Sequence, residues 1–259
     1  MRLFVKGLID EKLDNMKIAI YDTYEAMSEA AADLVARQLA EKPTSVLCFP
    51  SGDSPTGMLN YLVQWANNGK IDLSQSHFVA LDEWIGMDEN DDGSCGYYFK
   101  HHFFNKLNKS FKSITKFNAK ADNLDAECER INNFISSKGG LDIMMVGIGM
   151  NGHLGLNEPG TPVDLYAHHS ALDPVTVQVG QKYFNKETVL TGGITLGLKH
   201  LAEAGKAVLI ASGVKKADII HESLQGTVTT EVPASILQKL SNAFILLDKD
   251  AASELEHGN

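Results

Sequence analysis

Long apolar runs are missing from this sequence: no segment approaches the roughly 20 consecutive apolar residues that a membrane-spanning helix requires, so no such span is expected. Cysteine is equally sparse. Cys48, Cys95 and Cys128 are odd in number, widely spaced and free of any CxxC pairing, which argues against a disulfide framework or a zinc site and for reduced thiols. Positive charge is in short supply too, with 23 Lys and Arg against 33 Asp and Glu and a net charge of −10. Nucleic acids and anionic membranes both need clustered cations, so neither is an expected partner, and any anionic ligand must be drawn by local groups. The first fifteen residues, MRLFVKGLIDEKLDN, break their short apolar run at Lys6 and then turn charged, so they lack the core of a signal peptide. A cytoplasmic location is the expectation.

The remaining composition, 44% hydrophobic and 22% charged over 259 residues, is that of an ordinary globular chain within reach of a single core. Short apolar runs at Ile18–Tyr21, Val46–Phe49, Phe78–Leu81, Ile143–Val146 and Val208–Ala211 end in Gly, Ser, Asp or Asn and lead into helical patterns. Between them, residues 24–41, 56–66, 123–137 and 214–225 carry apolar residues at three- and four-residue spacing, as amphipathic crossover helices do. A helix over Ala234–Leu240 and a strand over Phe244–Leu247 close the pattern. The alternation predicts an α/β fold with a mostly parallel sheet covered on both faces, and ligands bind beyond the carboxyl ends of such strands. We expect an N-terminal extension over 1–15 and a single domain over 16–259, without repeats or linkers.

Three strand-end loops carry the chemistry. The first, Pro50-Ser51-Gly52-Asp53-Ser54-Pro55, precedes a helix expected to start near Pro55 or Thr56. Unpaired N–H groups at that helix start, the small Gly52 and the hydroxyls of Ser51 and Ser54 suit a phosphate, although Ser54 could simply cap the helix. The second contains Asp82-Glu83-Trp84. Adjacent acids at an apolar strand end face desolvation and mutual repulsion, both of which raise carboxyl pKa values toward what a general base needs, although an N-cap or ion pair would use an Asp there equally well. The third, Gly147-Ile148-Gly149-Met150-Asn151-Gly152-His153-Leu154-Gly155-Leu156-Asn157-Glu158-Pro159-Gly160, sets His153 in a glycine-rich turn five residues before Glu158, an arrangement suited to a proton-transfer dyad. GIGMNG resembles GxGxxG, but no helix pattern follows it, so a dinucleotide site is not expected. Further on, Ala211-Ser212-Gly213-Val214-Lys215-Lys216 again closes a strand and offers a cation.

Together, FPSGDSPTG at 49–57, LDEW at 81–84, GGLDIMMVGIGMNGHLGLNEPG at 139–160, TGGITLGLKHL at 191–201 and ASGVKKAD at 211–218 resemble the glucosamine-6-phosphate deaminase family, most closely its galactosamine-6-phosphate isomerase branch. The resemblance runs from about Met16 to Asp248. It implies a three-layer α/β fold with a modified Rossmann sheet, no metal, no cofactor, and an amino-sugar phosphate as partner; relatives range from monomers to hexamers, which leaves room for a homo-oligomer. It implies further that Asp82 is the enolisation base, His153 the ring-opening acid and base, and Glu158 its orienting carboxylate. Asn151 falls where many relatives carry Asp. Ser51, Gly52, Asp53, Ser54, Glu83, Gly149, Gly152, Lys182 and Lys216 make up the implied substrate- and phosphate-binding set. Lys182 matches the position of a phosphate-binding Arg in the glucosamine enzymes, keeping the charge without the bidentate fork. Asp53 replaces a small residue usual in the phosphate loop. The basic cluster that follows NEPG in allosterically regulated relatives is absent, with His168 and Ser170 in that region, so regulation by an N-acetylated sugar phosphate is not expected. The alternatives are a 6-phosphogluconolactonase-like hydrolase, whose relatives share the fold but lack NEPG, and a sugar-phosphate sensor without turnover.

Overall fold

The computed structural model describes residues 12, 13 and 16–256. The strands are β1 (Lys12–Leu13), β2 (Met16–Tyr21), β3 (Val46–Phe49), β4 (His77–Ala80), β5 (Asp82–Trp84), β6 (Ser113–Thr115), β7 (Ile143–Val146), β8 (His168–Ser170), β9 (Gly193–Thr195), β10 (Lys206–Ala211) and β11 (Ala243–Asp248). The helices are α1 (Tyr24–Glu41), α2 (Asp53–Asn67), α3 (Cys95–His102), α4 (Leu124–Ser137), α5 (Pro174–Gly180), α6 (Leu198–Glu203) and α7 (Ala217–Gln225). The expected extension over 1–15 lies largely outside the described residues, apart from the antiparallel pairing of β1 with β2.

Among the described residues eight strands form the central sheet in the order β1-β2-β11-β10-β7-β3-β4-β6, parallel throughout except for β1. Side chains alternate across it, as the pleat requires. On one face Leu47, Phe49, Phe78, Ile143, Met145, Val208 and Ile210 pack against α1, α2 and α3 through Met27, Val35, Met58, Leu62 and Phe99. On the other, Val46, Cys48, Met144, Val146, Leu209, Ile245 and Leu247 pack against α4, α6 and α7 through Ile131, Ile135, Leu201 and Ile220. Burial on both faces explains why the strands read as continuous apolar runs.

Strand order locates the ligand crevice. From β3 the chain steps outward to β4 and β6, returns to β7 on the other side of β3, and steps outward again through β10 and β11. The direction reverses between β3 and β7, and open α/β sheets bind ligands at such a reversal, beyond the strands' carboxyl ends. Both glycine-rich loops of the sequence, 50–52 and 147–160, leave the sheet there.

A second, three-stranded antiparallel sheet, β5-β9-β8, was not expected from the sequence. Its strands are three residues long, and His168-His169-Ser170 and Gly193-Ile194-Thr195 carry no apolar run to announce them. Asp82-Glu83-Trp84 is therefore strand rather than loop. Helix α2 begins at Asp53, two residues earlier than expected, and the expected helix at 234–240 is a 3-10 helix over Pro233–Lys239.

Candidate active site

A cavity of about 780 Å³ opens over the ends of β3, β7 and β10, walled on its remaining sides by β5 and α5. Ser51, Asp53, Ser54, Asp82, Gly149, His153, Lys182 and Lys216 all line it.

One end is built for an anion. Gly52 caps α2 at φ 111°, a backbone conformation that favours glycine, and makes no side-chain capping bond, so the first N–H groups of the helix are left for a ligand. Ser54 lies in the first turn and is not the cap. Gly52 itself is off the cavity wall: a Cβ there would sit 2.9 Å from the Tyr183 hydroxyl. The Asp53 carboxylate is mostly exposed and accepts a bond from Lys182 Nζ at 2.6 Å, so its charge is neutralised by a neighbour on the cavity wall. Burial depresses Lys182, but the contacts with Asp53 and Tyr183 together outweigh it and the ammonium is held above its ordinary pKa. Lys216 donates to the Ile148 carbonyl at 2.6 Å. Burial, with a smaller contribution from Lys182, brings Lys216 down to about 8. Two ammonium groups close enough to repel one another, in a protein of net charge −10, are held ready for an anion.

The adjacent acids separate because they lie on a strand, where successive side chains point to opposite faces. Asp82 turns to the cavity and Glu83 away from it. Buried Glu83 accepts the backbone N–H groups of Trp84, Cys95 and Gly96 at 2.9, 2.9 and 2.7 Å. It thus caps α3 jointly with Ser94, an anion at a helix N-terminus. Burial drives Glu83 up to about 7, the three backbone donors pull it back, and the charge of Asp82 adds to the rise. Glu83 is therefore not on the wall of the cavity, contrary to expectation; its place is beneath α3, which it fixes. That fixes Cys95 as well. The Cys95 thiol donates to Asp82 Oδ1 at 3.3 Å and accepts from the Ser51 hydroxyl at 3.2 Å. Desolvation raises Asp82 to about 6, with the thiol and His153 both opposing the rise.

His153 stands within electrostatic reach of Asp82, its ring packed flat over Gly149. A Cβ at Gly149 would come within 2.2 Å of the imidazole, so only glycine fits beneath it. Nδ1 lies 3.5 Å from Glu158 Oε2 and 3.0 Å from Thr176 Oγ1, which itself donates to Oε2 at 3.0 Å. Asn151 Nδ2 adds a bond to Oε2 at 3.1 Å, and Asn151 Oδ1 accepts the His153 N–H at 3.2 Å. Burial alone would raise Glu158; the contacts from His153, Thr176 and Asn151 outweigh it and hold the carboxyl below its ordinary value. Gly152, expected to bind substrate, faces Val232 instead, and its carbonyl accepts the Ala234 N–H. It shapes the turn and does not reach the cavity.

Sequence reasoning missed Cys95 and Thr176. Asp173-Pro174, a helix cap followed by proline at the first helical position, was the available signal for α5, but nothing local ties Thr176 to a histidine 23 residues away. Among the described residues no group of three or more His, Cys, Asp or Glu could hold a metal ion, and no helix is long and apolar enough to cross a membrane.

Comparison with known proteins bears on this arrangement. The sequence profile of glucosamine-6-phosphate isomerases/6-phosphogluconolactonase matches residues 21–246. The chain belongs to this family. The glucosamine-6-phosphate deaminase of Thermoanaerobacter sp. (strain X514) is 38% identical over 239 residues, 92% of this chain and 94% of that protein. That of Clostridium botulinum (strain Hall) is 36% identical over 241 residues, 93% of this chain and 99% of the relative. Among solved structures, a monomeric glucosamine-6-phosphate deaminase superposes with a TM-score of 0.88 at 32% identity, covering 93% of this chain and all of that one. The 6-phosphogluconolactonase of Trypanosoma brucei superposes at 0.71 with 15% identity and shares the fold. The family's three-layer, mostly parallel architecture is the one seen here.

Proposed function

We propose that the chain is a hexosamine-6-phosphate deaminase, converting an aldohexosamine 6-phosphate to the ketohexose 6-phosphate and ammonia. The observation that carries this reading is the convergence on one cavity of a desolvated carboxylate, a carboxylate-supported imidazole and a cationic helix start. A sensor would need only the last of these. A lactonase would have no use for a base held above C2.

The 6-phosphoryl group is bound by the N–H groups at the start of α2, the Ser51 and Ser54 hydroxyls, Lys182 and Lys216. Remote binding of that kind positions the reacting carbons without taking part in the chemistry. His153 takes the proton from O1 and returns one to O5 as the C1–O5 bond breaks, giving the open-chain aldehyde. The aldehyde acidifies the C2 proton, and Asp82, deprotonated above about pH 6, removes it. The electron pair of the C2–H bond forms the C1–C2 double bond while His153, reprotonated from solvent after it has given its proton to O5, protonates O1. Return of the proton from Asp82 to C1 gives a C2 imine; water adds to it and ammonia leaves. Glu158 supports the imidazolium in each proton transfer.

The relatives are named for glucosamine 6-phosphate, whereas the motif resemblance favours galactosamine 6-phosphate, and the two sugars differ at one hydroxyl, on C4. Steady-state ammonia release from both, with 6-phosphogluconolactone hydrolysis as the control, tests the proposal. The expected result is ammonia from at least one hexosamine phosphate, the ratio of kcat/KM naming the preferred sugar. Binding of both sugars without ammonia would favour the sensor, and lactone hydrolysis alone would favour the hydrolase.

A further inference from the structure

We propose that Thr176 is a positioning residue for His153: its hydroxyl fixes the imidazole with the proton on Nδ1, leaves Nε2 as the nitrogen that exchanges protons with substrate, and makes the seating of α5 a condition for acid–base competence. The inference rests on the function proposed above for its catalytic meaning, and on geometry alone for the hydrogen-bond arrangement.

The direct approach of His153 Nδ1 to Glu158 Oε2, at 3.5 Å, is too long for a strong hydrogen bond. Thr176 Oγ1 lies between them at 3.0 Å from each. A threonine hydroxyl has one proton to give, and an ionised carboxylate can only accept. The Thr176 proton is therefore committed to Glu158 Oε2, and the Nδ1 contact is satisfied only if Nδ1 carries the hydrogen and donates to Oγ1. With one nitrogen so assigned, the neutral ring keeps its lone pair on Nε2. The ring cannot escape this assignment by shifting, since Gly149 clamps one of its faces. Other polar partners do not compete: Asn151 sends its amide to the same Glu158 oxygen and its carbonyl to the His153 backbone.

Thr176 is 4% exposed, yet its neighbours on α5, Val175 and Val179, are exposed on the cavity wall. The helix is seated on the second sheet through Val177, which packs with Leu172 and Phe184 against Trp84, Leu156 and Leu190. The same short segment thus walls the cavity and completes the carboxylate–hydroxyl–imidazole relay. Displacement of α5 would leave His153 facing Glu158 across a gap, without a fixed tautomer.

The test uses the full chain as wild type, Thr176→Val and Thr176→Ser. Ring-nitrogen NMR of His153 at alkaline pH should find Nδ1 protonated in the wild type, and this measurement alone overturns the proposal if the proton resides on Nε2. In Thr176→Val, which keeps the shape and loses the hydroxyl, the tautomer should become mixed and kcat for ammonia release should fall roughly 10- to 100-fold, by analogy with the loss of a residue that orients a metal-ligating histidine. KM should change by less than about twofold, because the phosphate and sugar contacts are untouched. Thr176→Ser should restore both readouts. A serine variant as impaired as the valine one would assign Thr176 to packing and overturn the proposal. Absence of ammonia release from the wild type would instead count against the deaminase reading, while the nitrogen spectrum still decides the hydrogen-bond arrangement.

Discussion

Asp82 and Glu158 are carboxylates on opposite sides of one cavity, and the fold treats them in opposite ways. Among the described residues Asp82 takes a single weak donor, the Cys95 thiol, and desolvation carries it up to about 6. Glu158 is also buried, but the contacts of Thr176, Asn151 and His153 converge on Oε2 and hold it down. Asp82 is the more completely desolvated and has the fewer donors, so the two differences push the pair apart in the same direction. Two carboxyls with pKa values pushed apart can do two jobs, one trading a proton with carbon and the other staying charged to support an imidazolium.

The largest effect that would break this comparison is expected from Asp82→Asn. General bases contribute roughly 10²- to 10⁴-fold, so kcat should fall by that order and solvent exchange at C2 should vanish while substrate still binds. Normal exchange in this variant would remove Asp82 from its role. Stability should move the other way. A carboxyl whose folded pKa exceeds its unfolded one stabilises the fold when protonated, and that contribution is lost as pH rises through about 6. At neutral pH the ionised Asp82 is thus a cost to folding, and the asparagine variant should melt higher than wild type there, the gain disappearing in acid.

Glu158→Gln should give the opposite thermal result with a smaller catalytic loss. The folded pKa of Glu158 is depressed, so its contribution is present above the unfolded carboxyl value and is lost as pH falls through the folded one. The glutamine variant should therefore melt lower than wild type at neutral pH and converge with it in acid. Turnover should drop about 10- to 100-fold, more on the closed ring than on an open-chain analogue, because ring opening is the step that loads the imidazole. Thermal shifts of the same sign in both variants would refute the contrast between the two carboxylates.

Half of this contrast was legible in the sequence. His153 and Glu158 share one glycine-rich turn, and Asp82 follows a buried strand, so local pattern was enough to single them out. Ser51 and Ser54 were legible for the same reason, at the end of an apolar run, whereas Lys216 was singled out from Lys215 only by the motif resemblance. Glu83 was misassigned because the direction of its side chain depends on Asp82-Glu83-Trp84 being a strand, and only the long-range pairing with Gly193–Thr195 makes it one. The donors that tune the carboxylates were illegible altogether. Cys95 is brought to Asp82 by the capping of α3, and Thr176 is brought to Glu158 by packing on a sheet of three-residue strands. Neither position has a sequence signature of its own, because a hydrogen bond across tertiary structure leaves no periodicity.

The smallest expected effect sharpens the comparison most. If donor count sets the difference between the two carboxylates, the one donor on Asp82 should be measurable in the acid limb of kcat/KM, which reports the free enzyme's base. A thiol is a weak donor, so Cys95→Ala should raise that limb above about 6 by less than about one unit. Cys95→Ser, offering a stronger donor in the same place, should lower it. The thiol itself should resist alkylation despite lining the cavity, since burial and then the charges of Asp82 and Glu83 hold it protonated. A limb that stays fixed in both variants would mean that desolvation alone sets the basicity of Asp82, leaving hydrogen-bond tuning to the Glu158 side of the cavity.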